Sequence, residues 1–473
     1  MAIGLRRGTV ELAAHDPAWE SIARETIGRL WHILGNAAAD IQHVGSTSVP
    51  GIKAKPIIDL AVAADDFDAI RKLTPALEAG GFQYRKMERG TQLLFAVGDY
   101  ASPGGLVTHF LHVVQTGGAE WRNYINFRDY LKANAAAAKA YEALKVRLAA
   151  ENPNDPGREK YLAGKHDFIT QTLAEAQIWA EFGGRFTGVA PIAKGWSEDT
   201  KYCVTQADGT KRLLRITPVV RHEKKNALFQ MLERVAALGT PMCQLTEHGA
   251  CADGIYALYD WIDGEDVETA LPHLPAAEQY ALGVKSGEIL RTIHTIPAPE
   301  SQEDWAVRFN RKTDHKIKTY GECGLRFAGD AAVIAYIEQN RQLLEGRPQC
   351  FQHGDYHTGN MMLEDGALRI IDFDRYDFGD PWEEFNRIVW SAAASPHFAT
   401  GQLRGYFGGE PPLAFFQLLA FYIASNTLSS IYWAIPFGQA EIDTMMQQTQ
   451  SVLAWYDDFR RVIPTWYLQD FCV

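Results

Sequence analysis

A glycine-rich break, Glu181-Phe182-Gly183-Gly184-Arg185-Phe186-Thr187-Gly188, divides this chain, and the charge balance changes where it falls. Glycine favours turns over helix, so such a run ends one element and starts another. Residues 1–177 hold 20 basic and 20 acidic side chains and are neutral. The remainder holds 26 and 38, which accounts for the whole net charge of −12. At 473 residues the chain is too long for one ordinary core. Two domains are therefore expected, 1–178 and 182–473. The acidic field of the second disfavours nucleic acid and would attract a cationic substrate, although solubility alone also accounts for it.

An apolar fraction of 47% with 22% charged residues fits a soluble globular protein. The longest apolar stretch, Leu413 to about Ala424, is interrupted by Gln417 and is too short to span a bilayer. No membrane partner is expected. The N-terminal Met-Ala-Ile-Gly-Leu-Arg-Arg leads into acidic and polar residues, so no secretory signal is expected. Six cysteines (203, 243, 251, 323, 350 and 472) form no Cys-x-x-Cys pair. That argues against a disulfide framework or zinc site and for a cytoplasmic location.

Local patterns divide the same way. In the first part, Asp16 to Leu34 reads as a helix with Asp16 as N-cap and Pro17 at its first position. Pro56–Val62 and Thr108–Val114 read as strands, and Trp121–Ala150 as one alanine-rich helix. A last helical pattern runs from Arg158 to about Ala180. This is an α/β pattern. The second part opens with strands at Lys201–Thr205, Lys211–Ile216 and Gly254–Trp261, around a helix from His222 to Leu238. Beyond about residue 275 most segments read as helical, an α+β arrangement.

Two polar clusters stand out downstream. His353-Gly354-Asp355-Tyr356-His357-Thr358-Gly359-Asn360 is followed by Ile370-Ile371-Asp372-Phe373-Asp374. Between them, Met361–Ile370 reads as strand, Asp365-Gly366 turn, strand, so both clusters sit at the ends of one hairpin. Phosphoryl transfer needs a carboxylate for the attacking hydroxyl and oxygen ligands for Mg²⁺ on the phosphates. Asp355, Asn360 and Asp372 supply those groups.

These segments resemble the aminoglycoside phosphotransferase family, which shares the protein-kinase-like fold, over roughly residues 182–473. The resemblance implies that Asp355 is the catalytic base, that Asn360 and Asp372 bind Mg²⁺, and that His353 braces the loop. It implies a bilobal domain, with an N-lobe of about 182–265 and a C-lobe of about 266–473. ATP, or GTP, would be the phosphoryl donor, and a hydroxylated small molecule the acceptor. Gly379-Asp380-Pro381-Trp382-Glu383-Glu384-Phe385 and Ile289-Leu290-Arg291-Thr292-Ile293-His294 match further family segments. In the N-lobe, Gly195-Trp196-Ser197-Glu198-Asp199-Thr200-Lys201 would cover the nucleotide. Arg215 stands where the family has a phosphate-gripping lysine, and Glu223 would pair with it. Tyr256–Gly264 resembles the hinge strand that meets adenine. An exposed strand arginine and a glutamate favoured by a helix start are the plainer reading of that pair. The acids Asp374, Asp377, Asp380, Glu383 and Glu384 could receive an amine-bearing substrate. Glu383 and Glu384 fit better as first-turn residues after Pro381. His357 is read as a packed or solvent-facing histidine.

Upstream, His43-Val44-Gly45-Ser46-Thr47-Ser48-Val49-Pro50-Gly51 precedes the strand that carries Asp59. A Gly45-Ser46 turn offers backbone N–H groups and a hydroxyl to phosphate, and Asp59 could hold a metal ion nearby. With Lys55–Leu60, His109–Val113, Phe127–Leu131 and the Tyr141/Lys145 and Tyr161/Lys165 pairs, residues 9–177 resemble the GrpB family, whose fold is nucleotidyltransferase-like. Position 61 is alanine, so the second acid that a two-metal nucleotidyltransferase needs on that strand face is missing. His109 and His112 would point to opposite sheet faces. The lysines of the two pairs are read as solvated. The expected protein is therefore an ATP-dependent small-molecule kinase with a nucleotide-binding N-terminal domain. A nucleotidyltransferase and a non-catalytic nucleotide sensor are the alternatives.

Overall fold

The computed structural model describes residues 3–86, 91–99, 102, 104–152, 159–193 and 198–471. It divides into two compact units, Met1–Ile216 and Thr217–Val473.

In the first unit the order is β1 (Leu5–Arg6), α1 (Ala18–Leu34), β2 (Asp40–Val44), β3 (Ile58–Ala64), α2 (Phe67–Lys72), α3 (Thr74–Ala79), β4 (Phe82–Arg85), β5 (Leu93–Gly98) and β6 (Leu106–Gln115). The sheet order is β2-β3-β6-β5-β4, with β1 paired to β6. Only β3 and β6 run parallel among these neighbours. Central β3 is buried on both faces except at Asp59, which explains its continuous apolar run. Trp19, Leu30, Ile58, Leu60, Phe95 and Leu111 belong to the core cluster of this unit. Helix α1 begins at Ala18, slightly later than expected, and Asp16 Oδ1 still accepts from Ala18 N at 2.9 Å.

The expected single helix from Trp121 to Ala150 is two, α4 (Ala119–Ala133) and α5 (Ala135–Glu151). Asn134 leaves helical geometry between them (φ −115°, ψ 93°), and its side chain caps α5 at Ala137 N. Then follow α6 (Glu159–Ala163) and α7 (His166–Glu181), whose Trp179 packs with Tyr130 of α4. Three antiparallel strands complete the unit's order: β7 (Phe186–Ile192), β8 (Thr200–Gln206) and β9 (Lys211–Pro218). Gln171 Nε2 of α7 donates to Val189 O of β7 at 2.7 Å.

The second unit continues with α8 (His222–Ala237) and the hairpin β10 (Leu245–Cys251), β11 (Gly254–Asp260). Next come β12 (Glu265–Asp266), α9 (Val267–Ala270), α10 (Ala276–Ile293), α11 (Trp305–Glu322) and α12 (Asp330–Gln339). The polar clusters lie among β13 (Cys350–Gln352), β14 (Met361–Glu364), β15 (Ala367–Ile370) and β16 (Asp377–Gly379). The expected hairpin is β14–β15, turning at Asp365 and Gly366, both at positive φ. Strand β12 joins its edge, and β13 pairs with β16. Four helices finish the unit: α13 (Ile388–Ala394), α14 (Pro396–Phe407), α15 (Leu413–Ala434) and α16 (Gln439–Tyr456).

Helix α15 corrects one expectation. Gln417 does not interrupt it, and its 22 residues meet the length and composition of a bilayer span. It is a core helix instead, because 72% of its most apolar window is buried inside the protein. Trp305 Nε1 of α11 donates to Tyr422 OH of α15 at 2.8 Å, within that buried packing.

Candidate functional site

The His353–Asn360 loop leaves β13 with its histidine fully buried. His353 Nε2 lies 2.9 Å from Ile371 O, and its Nδ1 accepts from Asp355 N at 3.2 Å. Those contacts fit a neutral ring protonated at Nε2. The ring packs on Phe373, with centroids 4.4 Å apart. One side chain thus ties the Asp355 backbone to the segment that carries Asp372.

Gly354 follows at φ 86°, where a Cβ would sit 2.0 Å from Arg375 O. Its N–H donates to the Glu384 carboxylate at 2.9 and 3.2 Å. Glu384 is buried, and His294 Nε2 lies 3.8 Å from it. The His294 and Gly379–Phe385 segments singled out in the sequence therefore meet beneath the loop. Glu384 does stand in the first turn of a short 3₁₀ helix, Glu383–Arg387. Its carboxylate, however, holds the loop backbone rather than that turn.

Asp355 is the most crowded acid of the site. Asn360 Nδ2 donates to its carbonyl at 2.9 Å and to Oδ2 at 3.2 Å. Arg387 Nε lies 3.2 Å from Oδ1, Arg375 Nε 3.8 Å from Oδ2, and His357 Nε2 3.7 Å from Oδ1. Burial pushes this carboxyl up, but His357, Arg387 and Arg375 together outweigh it and hold it well below the usual carboxylate range. His357 is thus a neighbour of the acid, beyond its expected packing role, and its Nδ1 also accepts from Gly359 N at 3.1 Å.

Asn360 and Asp372 are held together by the hairpin, where Ile371 N donates to Asn360 O at 3.0 Å. Asp372 adopts a left-handed conformation (φ 65°), rare for a residue with a side chain and common at functional turns. With its amide nitrogen spent on Asp355, Asn360 turns Oδ1 away from that residue. An amide oxygen and a carboxylate are hard donors that suit Mg²⁺, whose remaining ligands would be phosphate and water. Among the described residues no cluster of three or more His, Cys, Asp or Glu side chains forms a metal cage.

Other expected residues are placed differently. Arg215 is buried and forms its ion pair with Asp199, at 2.7 and 3.0 Å. Glu223, its expected partner, is exposed in the first turn of α8. Asp199, a buried acid 16 residues upstream, takes that place. Ser197, Gly195 and Trp196 lie outside the described residues. Sequence reasoning missed Lys225, whose Nζ lies 2.6 Å from Asp374 Oδ1. The signal was its spacing, since Lys225 shares the buried face of Leu228, Phe229 and Leu232.

In the first unit, Gly45 (φ 69°) opens the turn Ser46–Ser48 against Asp59. A Cβ on Gly45 would meet Asp59 Oδ2 at 2.6 Å, so only glycine allows this approach. Residue 61 pairs in register with His112, whose Nε2 lies 3.5 Å from Asp59 Oδ1. His109 instead lies 3.2 Å from Thr26 Oγ1 of α1, so the two histidines do face apart. Burial pushes His43 down to about 4, against the attraction of Asp59. A single carboxylate with a histidine beside it fits at most one metal ion.

The expectation of solvated lysines is corrected at Lys145. It is 1% exposed, donates to Lys53 O at 2.6 Å and lies 4.4 Å from the Tyr141 ring centroid. Lys165 lies 4.6 Å from the centroid of Tyr161. Helix packing buries the Tyr141/Lys145 face, and the carbonyl and the ring replace water around the ammonium.

Comparison with known proteins finds two families along the chain. A family model described as GrpB protein matches residues 9–175, and one described as phosphotransferase enzyme family matches residues 188–416. The chain is similar to the glutamate-rich protein GrpB of Alkalihalophilus pseudofirmus, 35% identical over 176 residues, covering 37% of this chain and 99% of that protein. It is also similar to UPF0157 protein YqkA of Bacillus subtilis, 32% identical over 36% of this chain, and spans about half (48%) of that relative's length. Among solved structures, a thermostable mutant of aminoglycoside phosphotransferase APH(4)-Ia is similar at 17% identity and a TM-score of 0.45, over 59% of this chain and 98% of that one. The chain belongs to the GrpB family through its N-terminal part, and its residues 188–416 match the phosphotransferase enzyme family, a match that supports a small-molecule kinase.

Proposed function

We propose that the protein transfers the γ-phosphoryl group of ATP, or GTP, to a hydroxyl of a small molecule. The observation that carries this reading is the convergence of Asp355, Asn360 and Asp372 at the two ends of one hairpin. Asp355 receives the acceptor hydroxyl. Its lowered basicity suits a loose transition state, in which the proton leaves late. His353 positions Asp355 and does not touch the reacting atoms. Asn360 and Asp372 hold Mg²⁺, which neutralises phosphate charge when bound.

The metal assignment has a direct check. Asp372→Asn removes one formal negative charge from the site and weakens Mg²⁺-dependent ATP binding. Calorimetric titration with and without Mg²⁺ measures this, and an unchanged metal dependence removes Asp372 from the site.

We further propose that 1–178 and 182–473 are separate domains and that both work in the cytoplasm. In the first, Gly45 and Ser46 bind the phosphates of a nucleotide and Asp59 holds one metal ion. Residues 1–178 alone should then stay soluble and bind Mg²⁺-ATP, with Ser46→Ala and Asp59→Ala weakening that binding. No nucleotidyl transfer is expected, because position 61 offers no second acid. A nucleotidylated product that vanishes in Asp59→Ala would favour the nucleotidyltransferase reading.

A further inference from the structure

The residues around Asp355 carry more positive charge than that carboxylate balances. Arg387 and Arg375 both approach it, at 3.2 and 3.8 Å. Among the described residues, neither arginine has another carboxylate within ion-pair distance. The Arg387 side chain keeps 24% of its surface exposed and that of Arg375 49%, so both remain open to a ligand.

The acids expected to receive an amine are already engaged. Asp374 is paired with Lys225, Asp377 with Arg308, and Asp380 with Arg347. Glu384 is bound to the Gly354 N–H. Glu383 accepts from Gln352 Nε2 and Asn386 Nδ2, both at 3.1 Å. A further basic group lies close by on α11. Lys316 is 8% exposed and donates to Ser425 Oγ at 3.3 Å. Its charged neighbours are Lys312, Glu383 and Arg387, two cations against one acid. Burial, with Lys312 and Arg387, pushes Lys316 down to about 7.

An ammonium beside the reacting hydroxyl would face this excess charge. A planar anion there would meet guanidinium groups able to bind it through paired N–H donors. We propose that the acceptor carries an anionic group, a carboxylate or a phosphate, close to the hydroxyl that is phosphorylated, and that Arg387 and Arg375 bind it. This deepens the kinase reading and rests on it. It also reverses the sign of substrate that the chain's overall charge suggests, because local charges a few ångströms away outweigh a screened distant field.

The test uses the full-length protein with Mg²⁺-ATP and three acceptor mixtures. One holds hydroxy acids and sugar phosphates, one neutral polyols, and one amino alcohols and aminoglycosides. Products are identified by mass spectrometry and ATP turnover is followed in parallel. Phosphorylation is expected with the anionic mixture, the product showing whether carboxylate or phosphate is the recognised group. For the anionic product's substrate and its neutral analogue, Arg387→Gln should lower the ratio of kcat/KM values about tenfold or more, the scale of a lost close charge pair. Arg387→Lys should retain part of that ratio, because it keeps the charge but loses the paired donors. Because it is a ratio, a smaller folded fraction does not change it. Preferred phosphorylation of the amine mixture, or an unchanged ratio in Arg387→Gln, overturns the proposal. So does an absence of product in every mixture while Asp372-dependent ATP hydrolysis continues. No ATP turnover under any condition would overturn the kinase reading as well.

Discussion

Asp355→Ala is expected to lower turnover by about 10²–10⁴-fold, the usual scale for a lost general base, while ATP binding stays nearly unchanged. The side chain accepts one bond from Asn360 and sits beside Arg387, Arg375 and His357. Asn360, the proposed Mg²⁺ ligand, keeps its bond to the Asp355 backbone carbonyl in the variant, so removal of the carboxylate should act mainly on the chemical step. Steady-state kinetics together with a nucleotide titration separate the two effects. Phosphoryl transfer near the wild-type rate would remove Asp355 from its role. The lowered pKa of Asp355 adds a pH expectation. Its ionised form persists below the ordinary aspartate value of about 4, so an acid limb near neutral pH cannot come from this residue.

The second large effect is structural. Asp380 is fully buried and holds Arg347 through contacts of 2.7 and 2.9 Å. It also accepts from Tyr422 OH at 2.6 Å and from Trp382 N at 3.0 Å. Asp380→Ala leaves a mostly buried guanidinium and a buried hydroxyl without their acceptor. Breaking such a pair from one side costs about 3–5 kcal/mol. The shift should appear in the denaturant midpoint of the second unit's transition. A change well under about 1 kcal/mol, the value of an exposed pair, would mean that Arg347 finds another partner or water at little cost. Asp380 was read in the sequence as part of a family segment and as a candidate to receive an amine, not as a structural anchor. Its structural role depends on a partner 33 residues before it and another 42 residues after it.

The same contrast runs through the site. The hairpin was readable because its signals are local: an Asp-Gly turn between short apolar runs, with polar clusters at fixed offsets. Asn134 was equally local, a cap residue before an alanine run, but the surrounding helix propensity hid it. Lys225 and Asp374 stand 149 residues apart, and no periodicity links them. Arg387 was not singled out in the sequence, and the fold brings it to Asp355. Arg215 was found as a candidate, but its partner was assigned to the wrong acid. Position in a motif suggested Glu223, whereas the structure joins Arg215 to Asp199. Residue types and spacing thus made the candidate reacting groups legible. The charges that tune them depend on tertiary contacts.

Product identification tests the central claim most directly. The full-length protein is incubated with Mg²⁺-ATP and the mixed acceptors, and any modified acceptor is characterised by mass spectrometry. The account predicts the gain of one phosphoryl group on an acceptor hydroxyl, with ADP released, and loss of that product in Asp355→Ala. A nucleotidyl group gained instead, with pyrophosphate released and the product lost in Asp59→Ala but kept in Asp355→Ala, would contradict it.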